Sequence, residues 1–338
     1  PFSVNWFPEV TSADWTQRAD LVHLHWVGAG LLPVPALLRI KKPVLWTLHD
    51  MWPFTGGCHY DEGCGRYTDR CCACPQLRAS VENDLSRRVW SRKHTYWLSV
   101  PLTIASPSRW LADEARKSSL FANARIEVIP NGLDLSVFKP LDKRRAREAL
   151  GLPQDCRLVL FGAMAATSDP RKGYGVLLEA LNRIAATAGC IDMHLVVFGD
   201  GTPMELASPG LLVHHIGRLS DEALLADLYA GADVMVVPSM QENLPNTIME
   251  ALACGTPVVA FGVGGIPDMI DHRQNGYLAA SSSLEDLAAG IVWVLEDDAR
   301  WVALSTAARR KCETHYDLKL VARKYRDLYE QLVDGAIR

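Results

Sequence analysis

No apolar run in this 338-residue chain reaches the roughly 18 residues of a membrane span, and the nearest stretch is broken by Pro33 and Pro35. An excess of basic charge is also missing. Lys and Arg number 35 against 39 Asp and Glu, a formal net charge of −4, which argues against a general nucleic-acid binder while leaving room for a local basic patch. The chain has no internal repeat, no low-complexity tract and no visible secretory leader. Because it opens on Pro1 rather than Met, its true beginning is expected to lie upstream. These absences leave a soluble cytoplasmic protein as the expectation. The composition is globular, 49% hydrophobic and 22% charged, and the length fits two domains of about 150 residues each.

Short apolar runs alternate with helical patterns. "LVHLHW", "VLWTL", "LTIAS" and "RIEVIP" read as buried strands in the first part, and "RLVLFG", "MHLVVFGD", "LLVHHIG", "DVMVVPS" and "TPVVAFG" in the second. Between them lie helix candidates at Tyr174–Ala188, Asp221–Ala230 and Asn246–Ala253. Strands alternating with helices predict an α/β protein with parallel sheets, whose ligands bind at the carboxyl ends of the strands. The turn-rich "IPNGLDLSVFKP" followed by the polar "LDKRRAREALGLP" marks a boundary. The expected organisation is a first domain over 1–137, a second over 138–317, and a terminal helix over 318–338 returning to the first.

The stretch "QENLPNTIMEALACG" carries two glutamates, Glu242 and Glu250. Glu242 falls in the loop beyond the strand "DVMVVPS". Pro245 suits the first turn of a helix, Asn246 and Thr247 can cap or line it, and Gly255 stops it. The first N–H groups of such a helix lack partners and carry partial positive charge, so they form a seat for phosphate between the two carboxylates. Carboxylate, phosphate seat and carboxylate match the order of sugar, diphosphate and ribose in a nucleoside diphosphate sugar. Solvated surface charge is the bland alternative for any glutamate. A retaining glycosidase pair would need carboxyls about 5–5.5 Å apart, which an intervening helix start disfavours.

"PSMQENLPNTIMEALACGTPVVAFGVGGIPDMI" resembles the Glu-x7-Glu signature of family 4 retaining glycosyltransferases of the GT-B fold. "SPSRWLADEA", "VIPNGLD" and "DPRKGYGVLLEAL" resemble three further blocks of that family in the same order, and "WTLHDMWPFTGGCHY" resembles a subgroup associated with bacterial exopolysaccharide assembly. The resemblance implies two Rossmann-like domains facing across a cleft. It implies that Glu242 binds donor-sugar hydroxyls, that the backbone of Asn243 and Leu244 holds sugar and phosphate, and that Asn246, Thr247 and Ile248, following Pro245, offer amides to the diphosphate. Glu250 would take the ribose hydroxyls, and Lys172 would neutralise the leaving diphosphate with Arg171 beside it. Arg218 aligns near the nucleobase, and His49 with the histidine that touches the transferred sugar. Asp50 is then a structural partner, and His23 and His25 are packed or capping residues.

Two departures stand out. Ala166 occupies a position where many members carry an arginine, and nothing before Leu21 supplies the family's opening strand and glycine-rich loop. An N-terminal portion is therefore expected to be missing or abbreviated. The implied reaction is a metal-independent, front-face transfer of a hexose from a UDP-sugar, UDP-glucose being the first to try, to a saccharide or lipid-linked acceptor in extracellular polysaccharide assembly. A nucleotide-sugar epimerase of the same architecture and a catalytically silent sugar-nucleotide-binding module are the rival functions.

Nine cysteines are unevenly spread. Cys156, Cys190, Cys254 and Cys312 stand alone in core-like segments, where cysteine behaves as a small apolar residue. The rest fall in "CHYDEGCGRYTDRCCACP", where Cys58, Cys64, Cys71 and Cys74 give C-x5-C-x6-C-x2-C with Cys72 spare. Structural zinc, free thiols and disulfides all remain open for that set. Finally, "SRRVWSRKHTYW" places Arg87, Arg88, Arg92 and Lys93 among Trp90 and Trp97. It reads as a helix with a solvated basic face, or as a peripheral contact with an anionic membrane at the inner face.

Overall fold

The computed structural model describes residues 1–5, 18–28, 31–162, 168–187, 191–199 and 211–337. Ala166 and Cys190 lie outside the described residues. The chain divides into two units, Pro1–Pro130 together with Ala322–Arg338, and Asn131–Val321.

The first unit is built on four parallel strands, β1 (Val22–Leu24), β2 (Val44–Thr47), β3 (Leu102–Ser106) and β4 (Arg125–Val128), in that spatial order. Every residue of β2 and β3 is buried, as expected of central parallel strands covered on both faces. Helix α1 (Leu85–Trp97) starts at Asp84, whose carboxylate accepts the Arg87 N–H at 2.9 Å. Helix α2 (Arg109–Lys117) is capped by Ser108 through the Leu111 N–H at 3.1 Å. Large rings fill the core between these elements: Trp46, Trp52, Phe54, Trp97 and Phe121 are all buried. Trp46 meets Trp97 edge-on with ring centres 5.2 Å apart.

The second unit runs α3 (Lys143–Ala149), β5 (Arg157–Gly162), α4 (Tyr174–Ala185), β6 (Met193–Phe198), β7 (Leu212–Gly217), α5 (Glu222–Gly231) and β8 (Val234–Val237). It continues with α6 (Asn246–Ala253), β9 (Val258–Phe261), α7 (Ile266–Met269), β10 (Gly276–Ala279), α8 (Leu284–Leu295), α9 (Asp298–His315) and the start of α10 (Leu318–Ile337). Its six strands are parallel in the order β10-β9-β8-β5-β6-β7. Side chains alternate between two cores. Leu158 and Leu160 of β5 face one, with Met235 and Val237 of β8. Val159 and Phe161 face the other, with Val234 and Val236. Strand order reverses between β5 and β8, so the carboxyl ends of these two neighbours flank a topological switch point.

The division falls at Asn131 rather than at 138. Leu133 donates its N–H to Tyr316 O at 2.8 Å and accepts from Leu318 N–H at 2.9 Å, and both Leu133 and Phe138 join a core of the second unit. The turn-rich "NGLDLSV" therefore packs with the second sheet. Helix α10 is shared: from Ala322 onward it belongs to the first unit, where Tyr325 bonds Thr47 at 3.0 Å and Arg125 donates to Gln331 at 2.7 Å.

Candidate functional site

The switch point in the second unit gathers the residues of the glutamate motif. Beyond β8 the chain turns back through Glu242, which is only 8% exposed. Its carbonyl oxygen accepts the Gly265 N–H at 3.2 Å, and a Cβ on Gly264 would stand 1.8 Å from that oxygen. Gly264 also has φ +55, so glycine is required there on both counts. From the β5 side comes the turn Pro170–Lys172, capped by Asp169. Met240 N–H donates to Arg171 O at 2.8 Å, and Gly173, at φ +75, lies so near Pro238 O that a Cβ would come within 2.1 Å. These backbone contacts lock the two loops together. Lys172 Nζ consequently donates to Glu242 Oε1 in a largely buried ion pair.

Arg171 is engaged by its own turn: its guanidinium forks onto Asp169 at 3.1 and 2.7 Å. That guanidinium, with the Arg171 N–H, holds the Asp169 carboxyl below its ordinary range against the opposing effect of burial. Arg218 follows β7, at the far edge of the sheet from β10 and two strands from β5, and is exposed.

Helix α6 spans Asn246–Ala253, the range expected from the sequence. Pro245 is its N-cap in extended conformation and not a member of the first turn, and no side chain caps the helix. Ile248 N–H turns inward to Pro245 O at 3.1 Å, so the amides that precede intrahelical bonding are those of Asn246 and Thr247. Asn246 Oδ1 accepts from Asn131 Nδ2 at 3.1 Å, while Asn243 and Leu244 are buried. Glu250, one turn further on, accepts the Tyr229 hydroxyl at 2.6 Å. Burial pushes the Glu250 carboxyl above its usual range, and the Tyr229 hydroxyl opposes that shift. Tyr229 of α5, Gly264 and Asn131 had no signal in local spacing, since each acts on a partner 21 or more residues away.

In the first unit His49 follows β2 and is exposed, with Nε2 3.1 Å from His25 Nδ1 and the rings stacked at 5.4 Å. His23 lies on β1, its Nε2 2.8 Å from Thr47 Oγ1 and its Nδ1 2.7 Å from Tyr329 OH. Burial pushes His23 down to about 4 and lowers His25 and His49, so all three rings are neutral at pH 7. Asp50 accepts the Trp52 N–H and pairs with His59 Nδ1, both at 2.8 Å.

Lys93 overturns the basic-face reading of α1. It is 0% exposed, donates to the carbonyls of Trp52 and Thr55, and lies 3.8 Å from the Trp52 ring centre. Val89, Lys93 and Trp97, spaced i, i+4, i+8, form the buried stripe of that helix, so only Arg88 of the four cations is fully exposed. Among the described residues no helix is long and apolar enough to cross a membrane. Cys58, Cys71 and Cys74 are buried, Cys64 and Cys72 half-buried, and all are free thiols. No group of three or more His, Cys, Asp or Glu among the described residues stands in the arrangement of a bound metal.

Two Rossmann-like halves, each on a parallel sheet, define an α/β protein of the GT-B type. Residues 155–297 match the family model of the glycosyl transferases group 1, and residues 5–137 match that of Glycosyltransferase Family 4. The two matched stretches fall one in each half of the chain. D-inositol 3-phosphate glycosyltransferase of Thermobispora bispora is 32% identical over 227 residues, which is 63% of this chain and 52% of that protein. The Mycobacterium tuberculosis protein of the same name is 35% identical over 204 residues, 56% of this chain and 41% of its own. The chain spans about half the length of these curated relatives. Sucrose-phosphate synthase from Thermosynechococcus elongatus superimposes with a TM-score of 0.72 at 25% identity, covering 94% of this chain and 74% of the other. HepE of Anabaena, solved with UDP and glucose, gives 0.65 at 19% identity, covering 94% and 80%, a likeness of fold alone.

Proposed function

We propose that the protein transfers a hexosyl group from a UDP-sugar to a saccharide or lipid-linked acceptor with retention of configuration and without a metal. The observation that carries the proposal is the Lys172–Glu242 pair at the switch point, beside the uncapped start of α6 and with Glu250 one turn inside it. A donor seated there meets cations and amides at its diphosphate and carboxylates at its two hydroxylated ends. The diphosphate takes Lys172 away from Glu242 and lies against the Asn246 and Thr247 amides. Glu242, released, accepts hydrogen bonds from the sugar, and Glu250 accepts from the ribose in place of Tyr229. In the transfer the bond from anomeric carbon to phosphate oxygen breaks, and the acceptor oxygen bonds the same face. The acceptor proton passes to the departing phosphate oxygen. Lys172 and the helix amides stabilise the charge that accumulates there, the part a divalent cation would otherwise play. His49 is assigned to the transferred sugar, where a neutral ring can donate or accept.

Bacterial exopolysaccharide assembly in the cytoplasm, at the inner membrane face, supplies acceptors of the proposed kind. The name shared by the curated relatives adds an inositol phosphate to the acceptors worth testing. Full-length protein incubated with UDP-glucose and other UDP-sugars, with and without these acceptors and with chelator, tests the assignment. Glu242→Ala and Lys172→Ala should each lower transfer by a factor on the order of 10²–10³. Near wild-type rates in either variant overturn the site. Donor interconversion without acceptor identifies an epimerase, and tight UDP binding with no turnover identifies a silent module.

A further inference from the structure

The carboxyl edge of the first sheet carries an aromatic ring that the donor chemistry leaves unexplained. Trp26 lies two residues past β1 and is 39% exposed, the most exposed tryptophan among the described residues. Trp46, Trp52 and Trp97 of the same unit are buried. A single exposed apolar side chain is ordinary on a protein surface. This one is held in place. The carbonyl of His25, before it, accepts from Trp46 Nε1 at 2.8 Å, and that of Val27, after it, accepts from the side-chain amide of buried Asn5 at 3.3 Å. The indole folds back over Gly28, where a Cβ would stand 2.2 Å from the ring, so glycine is what leaves it room. Trp52 meets it at 66° with ring centres 5.8 Å apart, and the His59 ring centre is 5.0 Å away. His59 is itself clamped, with Asp50 at 2.8 Å from Nδ1 and Ser3 Oγ at 2.9 Å from Nε2.

Hydrogen-bonding rings stand at the same edge. His25 is exposed and lies 3.1 Å from exposed His49. A fixed indole offers a large contact surface with little conformational entropy left to lose on binding. Its π face is electronegative. The complementary ligand has a flat apolar face of weakly positive C–H groups and a rim of hydroxyls. A pyranose ring has that form: axial hydrogens on one face stack on the indole, and the equatorial hydroxyls reach imidazole nitrogens that donate or accept.

We propose that Trp26 is the stacking platform for a pyranose ring of the acceptor, with His25 beside it for the hydroxyls. The inference rests on the transferase reading for its purpose, and it narrows the acceptor to one that presents a sugar ring to the first unit.

Binding of methyl β-D-glucopyranoside and methyl β-D-galactopyranoside to the full-length protein saturated with UDP, followed by NMR titration, tests this. Trp26→Ala should weaken glycoside binding about tenfold, Trp26→Tyr no more than about threefold, and both should leave UDP affinity unchanged. Equal glycoside affinity in wild type and Trp26→Ala overturns the proposal, as does Trp26→Tyr binding as weakly as Trp26→Ala. A parallel loss of UDP affinity assigns the ring to the nucleotide and overturns it as well. Should Trp26→Ala fail to fold, saturation transfer in the wild type gives a second reading. Irradiation of the protein's aromatic protons should pass to the axial H1, H3 and H5 of the glycoside, and its absence overturns the proposal. Glycoside binding at Trp26 without any transfer keeps this inference and defeats the transferase reading. Transfer to an acceptor whose KM is untouched by Trp26→Ala does the reverse.

Discussion

In the second unit the central strands of the sheet are buried between mostly aliphatic layers while the edge strand β7 stays partly exposed, and one cluster of buried charge centres on Asp233. Asp233, 2% exposed, accepts from Arg147 at 2.6 Å, Lys143 at 2.8 Å and the Leu158 N–H at 2.6 Å, tying α3 to β8 and β5. In the first unit indole and phenyl rings pack on the central strands β2 and β3, and the buried polar groups include Lys93, Asp84 and the thiols of Cys58, Cys71 and Cys74, while His23 bonds Thr47 and Tyr329. The contrast separates two ways of holding a small parallel sheet. One rests on paired ions, with Asp233 between Arg147 and Lys143, among mostly aliphatic side chains. The other buries titratable groups outside ion pairs, and burial pushes His23 down to about 4 and Lys93 down to about 7.

The largest effect should come from opening the ionic set. Asp233→Ala strands Arg147 and Lys143 and leaves the Leu158 N–H unpaired, which should destabilise the second unit by about 3–5 kcal/mol. Urea unfolding of wild type and variant measures this, and a loss under about 1 kcal/mol would remove Asp233 from the account of the fold.

Acid should act on the other unit. Burial, with smaller contributions from the neighbouring His25 and His49, lowers the His23 pKa from 6.5 to about 4. The unfolded chain binds the proton first, so this contribution is complete above pH 6.5 and lost as pH falls from 6.5 to 4. With allowance for solvent screening of the partly exposed ring, the full loss is about 1–2 kcal/mol, with no further loss from this group at lower pH. Thermal unfolding followed by Trp fluorescence, which the first unit dominates, should show the drop, and His23→Asn should flatten it. A wild-type curve flat between pH 7 and 4.5 breaks the contrast between the units.

The smallest effect belongs to the donor site. Tyr229→Phe removes the hydroxyl that holds Glu250 and should shift UDP affinity about fivefold, near 1 kcal/mol, with Glu250→Ala weakening it further. Calorimetry with free UDP measures both, and unchanged affinity in both variants would remove Glu250 from the ribose site.

The same contrast explains what could be read from the sequence. Nine strands were visible as apolar runs, and the Glu242–Glu250 stretch declared its loop and helix because its chemistry is local. The strand β10 was missed because "GYLA" is short and opens on glycine. Helix α8 was missed because "AAGIVWVL" is apolar without interruption, and α9 because its apolar residues are sparse among charges. Tyr229, Gly264 and Asp233 act through contacts between distant segments, which no spacing rule encodes. Lys93 is different: its place in the Val89–Lys93–Trp97 stripe was in the sequence, and only its charge disguised it.

The shared helix α10 fixes an order of events in synthesis. The first unit comprises Pro1–Pro130 and Ala322–Arg338, so the half translated first is completed last, after the whole of the second unit has left the ribosome. Until then His23, Thr47 and Arg125 await Tyr329, Tyr325 and Gln331. A nascent chain that has emerged through Val321 and no further would carry a complete second unit and an open first sheet, exposed to chaperones and proteases in the interval.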